Sequence, residues 1–183
     1  RVIRCSMELG GNAPFLVLSD ANVDEAVSGA LLAKMRNGGA ACTAANRFYV
    51  AKELAEDFTS KLAAAMSQLK MAPGTSNGAQ LGASVSVKER NKIAELVDSS
   101  VSAGAVVKTG GKTPDGTGAF YPATVLTVKN NNPILAQEIF GPVAPIVVTT
   151  SDEEAIELAN ATEFGLIAYV YSGDLKRAIK VAE

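Results

Sequence analysis

The stretch that decides the fold is FLVLSDANVDEAVSGALLAKMRNGGAACTAANRFYVA, residues 15–51. It opens with a short apolar run that is typical of a strand. Asn22 follows as a helix cap with Glu25 three positions beyond it, and apolar residues then recur at helical spacing until Gly38–Gly39. A second apolar run, RFYVA at 47–51, is again typical of a strand. The stretch therefore predicts a strand, a helix and a second strand in succession.

The same alternation continues through the rest of the chain. Predicted helices cover residues 52–70, 85–103 and 151–163, with a last one from Asp174, and predicted strands cover 105–111, 120–128, 144–150 and 165–173. A loop rich in glycine, proline and serine precedes the second of these helices, and a short helix or turn is expected near PILAQEIFGP. Strands separated by helices, several of them apolar without strict alternation, indicate an α/β fold. We expect a mainly parallel, open twisted sheet with helices on both faces and a site at the carboxyl ends of its strands.

Composition excludes several classes of function. The chain has 183 residues, is 48% hydrophobic and 20% charged, and carries a net charge of −2. Nucleic acid or an anionic membrane would call for a basic face, so neither is an expected partner. No apolar run reaches the roughly 18 residues of a membrane span, and no signal peptide is recognisable. The first residue is not methionine and the last helix pattern stops short, which suggests a piece of a longer protein.

The few cysteines and the absence of histidine limit which disulfides, metal sites and catalytic nucleophiles the chain can form. Cys5 and Cys42 are too few for a disulfide framework or a zinc site, so no metal and a cytoplasmic location are expected. A lone cysteine is more often a small buried hydrophobe than a nucleophile, and that interpretation is adopted for Cys5. Cys42 differs because it follows a glycine pair and has small neighbours that leave room for a substrate. The chain has no histidine, so a carboxylate, a lysine or a water would have to assist this thiol.

Two further stretches are unusual, and each allows two interpretations. In MELGGNAP, residues 7–14, Glu8 ends a predicted strand and is either a solvated side chain beside a turn or a partly desolvated base with a raised pKa. In QEIFGP, residues 137–142, Phe140 is either packed in the core or exposed beside an acidic residue. The exposed arrangement could hold a ribose and a flat heteroaromatic ring. Local sequence leaves both questions open.

Taken in order, these stretches resemble the aldehyde dehydrogenase superfamily over essentially the whole chain. The boxes that carry the resemblance are ELGG, the cysteine box ending CxxxxR (Cys42 to Arg47), EIFGP, and N-x4-GL-x-A (Asn160, Gly165, Leu166 and Ala168). The resemblance implies that Cys42 is the nucleophile and Glu8 the general base. It also implies that Leu9, Glu138 and Phe140 contact a cofactor, the last two at the nicotinamide ribose and ring.

Within that superfamily the chain is most similar to succinate-semialdehyde dehydrogenases, through MELGGNAPF and MRN…ACTAANRF. In those enzymes an arginine six residues before the nucleophile binds the substrate carboxylate, and here that residue is Arg36. Its alternative role is a cation at a helix end, favoured by the helix dipole. The resemblance implies oxidation of succinic semialdehyde to succinate through a thiohemiacetal and a thioester on Cys42, with hydride transfer to NAD or NADP. A neutral aldehyde substrate, or a non-catalytic structural or binding module, remains an alternative.

The resemblance also implies a domain organisation. Residues 1–10 would be the tail end of the cofactor-binding domain, and residues 11–183 a catalytic domain truncated at its C-terminus. Most of the cofactor site would lie upstream, so we expect this chain to be inactive alone and the full-length protein to be a homo-oligomer. Ala40 replaces the glutamine usual in the family and is expected to loosen the nucleophile loop. Ala44 replaces a second cysteine found in some relatives, so their disulfide switch is absent.

Overall fold

The computed structural model describes residues 2–183, and Arg1 lies outside the described residues. The strands are β1 Ala13–Val17, β2 Ala45–Ala51, β3 Val106–Thr109, β4 Thr124–Thr127, β5 Val143–Thr149 and β6 Tyr169–Tyr171. The helices are α1 Val23–Met35, α2 Ala55–Ser67, α3 Val87–Ser102, α4 Asp152–Asn160 and α5 Leu175–Ala182. Short 3-10 turns cover Arg36–Gly39 and Pro133–Ala136. Each helix and strand predicted downstream of residue 14 is present, with ends that are generally shorter than predicted.

The six strands form a single sheet in the order β3-β4-β5-β2-β1-β6. All neighbouring strands are parallel except β3 and β4, which are antiparallel. The mainly parallel sheet is therefore confirmed. The exception follows from the connection, because no helix separates β3 from β4 and the chain can turn back directly.

Helices cover both faces of the sheet. One apolar cluster joins α1 and α2 to side chains such as Phe15 and Phe48. The other joins α3 and α4 to their strand neighbours Leu16 and Tyr49, which point to the opposite face. Where both faces are buried, successive strand residues can all be apolar, as in residues 15–17 of β1, which explains why the sequence there lacks strict alternation.

The end of α1 sets the direction of the loop that carries Cys42. Asn22 caps the start of the helix as predicted, since its Oδ1 accepts the N–H groups of Asp24 at 3.0 Å and Glu25 at 3.2 Å. The helix ends at Met35, before the glycine pair, because Asn37 already has a left-handed backbone with φ of 52°. The chain therefore leaves the helix at Arg36, the C-cap residue.

Two expectations for the N-terminal segment are wrong. The described part of it, residues 2–10, contains no strand, and all its side chains are exposed. A strand needs a hydrogen-bonded neighbour, and none of the six strands runs beside this segment. Cys5 lies in the same segment and is exposed rather than packed.

Among residues 2–183, no helix combines the length and the apolar character needed to cross a bilayer.

Arg47 is a buried structural clamp on β2, with a relative exposure of 1%. Its Nε donates to the carbonyl of Asn12 at 2.9 Å. Its two terminal nitrogens donate to the carbonyls of Leu158 and Ala159, both at 3.0 Å, in the last turn of α4. A guanidinium at this end of a helix is also favoured by the helix dipole. Arg47 thus joins β1, β2 and α4.

We expect Arg47→Met to destabilise the chain by about 3–5 kcal/mol, because the carbonyls of Asn12, Leu158 and Ala159 lose a charged donor from a buried side chain at once. Equilibrium urea unfolding measures the effect. Arg90→Met is the matched control, because within residues 2–183 the Arg90 side chain bonds only to the exposed Asn91, and it should change stability by less than about 0.5 kcal/mol. A loss below about 1 kcal/mol for Arg47→Met would contradict the clamp.

Candidate active site

Cys42 lies in the loop between the 3-10 turn after α1 and the start of β2, and it is half-buried. The next residue, Thr43, is tied to the far edge of the sheet, since its carbonyl accepts the hydroxyl of Tyr169 at 2.8 Å. Tyr169 starts β6, a neighbour of β1. The contact spans 126 positions of sequence, so no local pattern pointed to this tyrosine.

The ELGG box packs directly on the nucleophile loop. A Cβ atom at Gly11 would collide with the carbonyl oxygen of Cys42, so only glycine permits this approach. The Gly11 N–H donates to Oε1 of Glu138 at 2.9 Å. The other carboxylate oxygen, Oε2, lies 2.8 Å from the position that a Cβ of Gly10 would occupy. Three boxes that are distant in sequence therefore meet at Cys42. Each of them precedes its strand, β1, β2 or β5, so the site lies at the amino ends of these parallel strands, and the expected position at the carboxyl ends is wrong.

The turn of the EIFGP box supports the same loop from another side. A Cβ atom at Gly39, which has a φ of 79°, would collide with the carbonyl oxygen of Gly141. Phe140 is 48% exposed and lines a cavity of about 560 Å³ with Ala40 and Tyr121 among its other walls. Of the two interpretations of Phe140, the structure shows the exposed aromatic and not the core residue.

A buried polar pair behind the loop was not singled out from the sequence. The Nζ of Lys34 donates to Oδ1 of Asn46 at 2.9 Å, and Nδ2 of Asn46 lies 3.4 Å from the Gly11 carbonyl. Burial lowers the pKa of Lys34 to about 7, and the negative charge of Glu138 partly opposes this. The available signal was the position of Lys34 on the apolar stripe of α1, where a lysine is out of place.

Arg36 lies at the C-cap of α1 with an exposed side chain. Burial raises the pKa of Tyr169, and the positive charge of Arg36 is close enough to oppose that rise. Arg36 and Cys42 are therefore both near Tyr169. The charge of Arg36 acts on the Tyr169 hydroxyl, and the same hydroxyl binds the carbonyl of Thr43, the residue after Cys42. This position agrees with the role of a cation at the end of a helix. It also leaves the guanidinium accessible to an anion.

Sequence and structure comparisons identify the family. A model described as "Aldehyde dehydrogenase family" matches residues 1–183. The chain belongs to the aldehyde dehydrogenase family. It is 55% identical over its whole length to a succinate-semialdehyde dehydrogenase of Paenarthrobacter nicotinovorans, covering 41% of that protein. It is 44% identical to a 3-sulfolactaldehyde dehydrogenase of Pseudomonas putida, again over its whole length and 38% of that protein.

The fold of this aldehyde dehydrogenase chain is also that of solved family members. A succinate-semialdehyde dehydrogenase from Burkholderia pseudomallei superposes with a TM-score of 0.93 at 44% identity, over 97% of this chain and 37% of that one. The chain thus spans about two fifths of the length of the relatives it matches. Homologues in the family bind NAD+ or NADP+.

Two residues that the aldehyde dehydrogenase resemblance singles out are exposed to solvent in this structure. Glu8 is exposed, and Leu9 is 71% exposed. Of the two interpretations of Glu8, the structure shows the solvated side chain and not the partly desolvated one. Both residues are followed at once by Gly10 and Gly11, which the structure places against Glu138 and Cys42. Their position next to the nucleophile loop is set by that glycine pair.

Proposed function

We propose that this chain is the nucleophile-bearing part of a NAD(P)-dependent aldehyde dehydrogenase that oxidises succinic semialdehyde to succinate. The observation that carries the proposal is the convergence of the ELGG, cysteine and EIFGP boxes on Cys42. The domain division proposed with it assigns residues 1–10 to the end of a cofactor-binding domain and residues 11–183 to the catalytic domain. A cytoplasmic location and a homo-oligomeric full-length protein remain predictions.

In the proposed reaction the thiol of Cys42 attacks the aldehyde carbon, and its proton leaves to water. The resulting thiohemiacetal carries an oxyanion that the backbone N–H of Cys42 can stabilise. Loss of hydride from this intermediate leaves a thioester on Cys42. Glu8 then removes a proton from water, which attacks the thioester and releases the carboxylic acid and the free thiol. The exposed carboxylate of Glu8 is accessible to that water.

The proposed cofactor contacts fit the residues present. When bound, NAD+ or NADP+ supplies the acceptor for the hydride. Phe140 offers an exposed aromatic face on the wall of the 560 Å³ cavity. Glu138 uses Oε1 for the Gly11 N–H, and a ribose hydroxyl could donate to its other oxygen. Leu9 offers an exposed apolar surface beside the same turn.

Arg36 supports an aldehyde that carries an anionic group. A guanidinium can hold a carboxylate through two parallel charge-assisted hydrogen bonds. Its exposure and its position near Tyr169 leave it free to do so. The relatives reported above are named for succinic semialdehyde and for 3-sulfolactaldehyde, and both of these aldehydes carry an anionic group. A neutral aldehyde would make no use of this charge.

In the full-length enzyme, Arg36→Ala should raise KM for succinic semialdehyde about ten- to a hundredfold, as expected from the loss of a charged hydrogen bond of about 1.5–3 kcal/mol. Butanal, a neutral aldehyde with the same carbon chain length, should change by less than about twofold in kcat/KM. Steady-state kinetics with both aldehydes make the comparison, and the distant Arg90→Ala is the control.

The kinetics with the two aldehydes also distinguish the proposed substrate from a neutral aldehyde and from a non-catalytic module. Equal losses with both aldehydes would mean that Arg36 supports the loop, and the substrate assignment would fall while the aldehyde dehydrogenase assignment stood. A full-length protein that oxidises neither aldehyde with either cofactor would favour the non-catalytic module.

A further inference from the structure

Lys34 is a buried cation that neither the fold nor the proposed reaction explains. It lies on α1 with a relative exposure of 0%. Lysine is almost never fully buried unless it is paired, because its ammonium loses hydration. A leucine or methionine would fill the same space without that cost. The amine at this position therefore calls for a role beyond packing.

The contacts of Lys34 lead to the candidate active site. Its Nζ donates to Oδ1 of Asn46 on β2 at 2.9 Å and lies 3.5 Å from the carbonyl of Ile139. Glu138, the neighbour of Ile139, is the charged group that acts on it. The ammonium thus sits between the strand that follows Cys42 and the segment that carries Glu138.

Asn46 and Glu138, the two polar neighbours of Lys34, both contact Gly11. Glu138 accepts the Gly11 N–H at 2.9 Å, and Nδ2 of Asn46 approaches the Gly11 carbonyl at 3.4 Å. Gly11 in turn packs against the carbonyl of Cys42 so closely that a Cβ would not fit. A shift of Asn46 or Glu138 would therefore move Gly11 and the nucleophile loop together.

We propose that Lys34 is a positioning residue, which acts through Asn46 and Glu138 to hold Gly11 against the backbone of Cys42. This role rests on the proposed function, because it matters for catalysis only if Cys42 is the nucleophile. Lys34 touches neither substrate nor cofactor in this role. Its effect is on the placement of Cys42 relative to Glu8, three residues before Gly11.

The lowered pKa of Lys34 shows that this residue does not serve stability, as expected of a residue that serves function. Burial lowers its pKa from 10.5 to about 7, against the opposing charge of Glu138. Between these pH values the unfolded chain holds a proton that the native chain releases. Stability therefore rises with pH across that window and is lowest, with respect to this group, at and below about pH 7. Lys34 thus lowers stability near neutral pH.

The test compares Lys34→Met, Asn46→Leu and the double variant in the full-length enzyme, with Lys88→Met, at an exposed position on α3, as control. Lys34→Met should lower kcat about ten- to a hundredfold and leave KM for succinic semialdehyde and NAD(P)+ within about twofold. The double variant should lose no more than the larger single loss, because both changes break one link. Lys34→Gln, which is closer in polarity, is the second variant should Lys34→Met fail to fold.

Hydrogen exchange followed by mass spectrometry gives a readout that does not need activity. Lys34→Met should speed exchange in the peptide around Gly11 and leave the α2 peptide, residues 55–67, unchanged. Equal acceleration in both peptides would show general destabilisation and overturn the proposal, as would unchanged kcat or multiplying losses in the double variant. If the wild-type enzyme oxidises no aldehyde, the proposed function fails, whereas the exchange data still decide whether Lys34 holds Gly11.

Discussion

Cys42→Ala in the full-length enzyme is expected to lower the rate of aldehyde oxidation by at least about 10⁴-fold, because the covalent route through the thioester is lost. Folding should be nearly unchanged. Cys42 is only half-buried, and its close contact with Gly11 is made by the backbone carbonyl, which alanine keeps. Steady-state kinetics and thermal unfolding of the same preparation test both statements.

Cys5→Ala is the matched control for this substitution. Cys5 is exposed in a segment without a strand, so its replacement should leave the rate within about twofold. A Cys42→Ala variant that kept more than about a tenth of the activity would show that another group is the nucleophile. Because both thiols are at least partly accessible, labelling alone does not distinguish them in this chain.

Glu8→Gln is expected to separate the two halves of the reaction. Glutamine keeps the size of the side chain but cannot take a proton from water, so thioester hydrolysis should slow about 10²–10⁴-fold. Formation of the thioester does not need that base. The variant should therefore release a burst of about one reduced cofactor per active site, followed by slow turnover, in stopped-flow absorbance.

Glu95→Gln is the control for Glu8, since Glu95 is an exposed glutamate on α3. It should behave as the wild-type enzyme does in both phases. Full turnover by Glu8→Gln would remove Glu8 from the mechanism. Slow turnover without a burst would move its role to the first half of the reaction, where Glu8 would be needed to activate Cys42.

Local patterns were enough to predict the elements of the fold. The cap at Asn22 was read from side-chain type and spacing, and the structure shows its hydrogen bonds to the next turn. Runs rich in β-branched, aromatic and other apolar residues predicted each of the six strands. The strand expected before Gly10 failed because a strand is stabilised by its neighbour, which a local pattern does not reveal.

The candidate site was predictable only in part. The boxes around Cys42, Glu8 and Glu138 gave the residues of the proposed site through their resemblance to a family, and the family is confirmed. The supporting residues Tyr169 and Asn46 carry no such signal, and Lys34 is marked only as a lysine on the apolar stripe of α1. Their importance comes from partners that are distant in sequence.

The sequence by itself therefore determined which segments become helices and strands, and which residue types could carry the chemistry. These properties depend on spacing over a few residues, through side-chain periodicity and helix caps. Only the tertiary structure decided that Gly11 meets both Cys42 and Glu138, the latter 127 positions away. It also decided that the ammonium of Lys34 is buried behind them. The physical reason is that neighbouring parallel strands bring the segments that precede them together, here at the amino ends of β1, β2 and β5, where contact depends on the packed fold and not on local spacing.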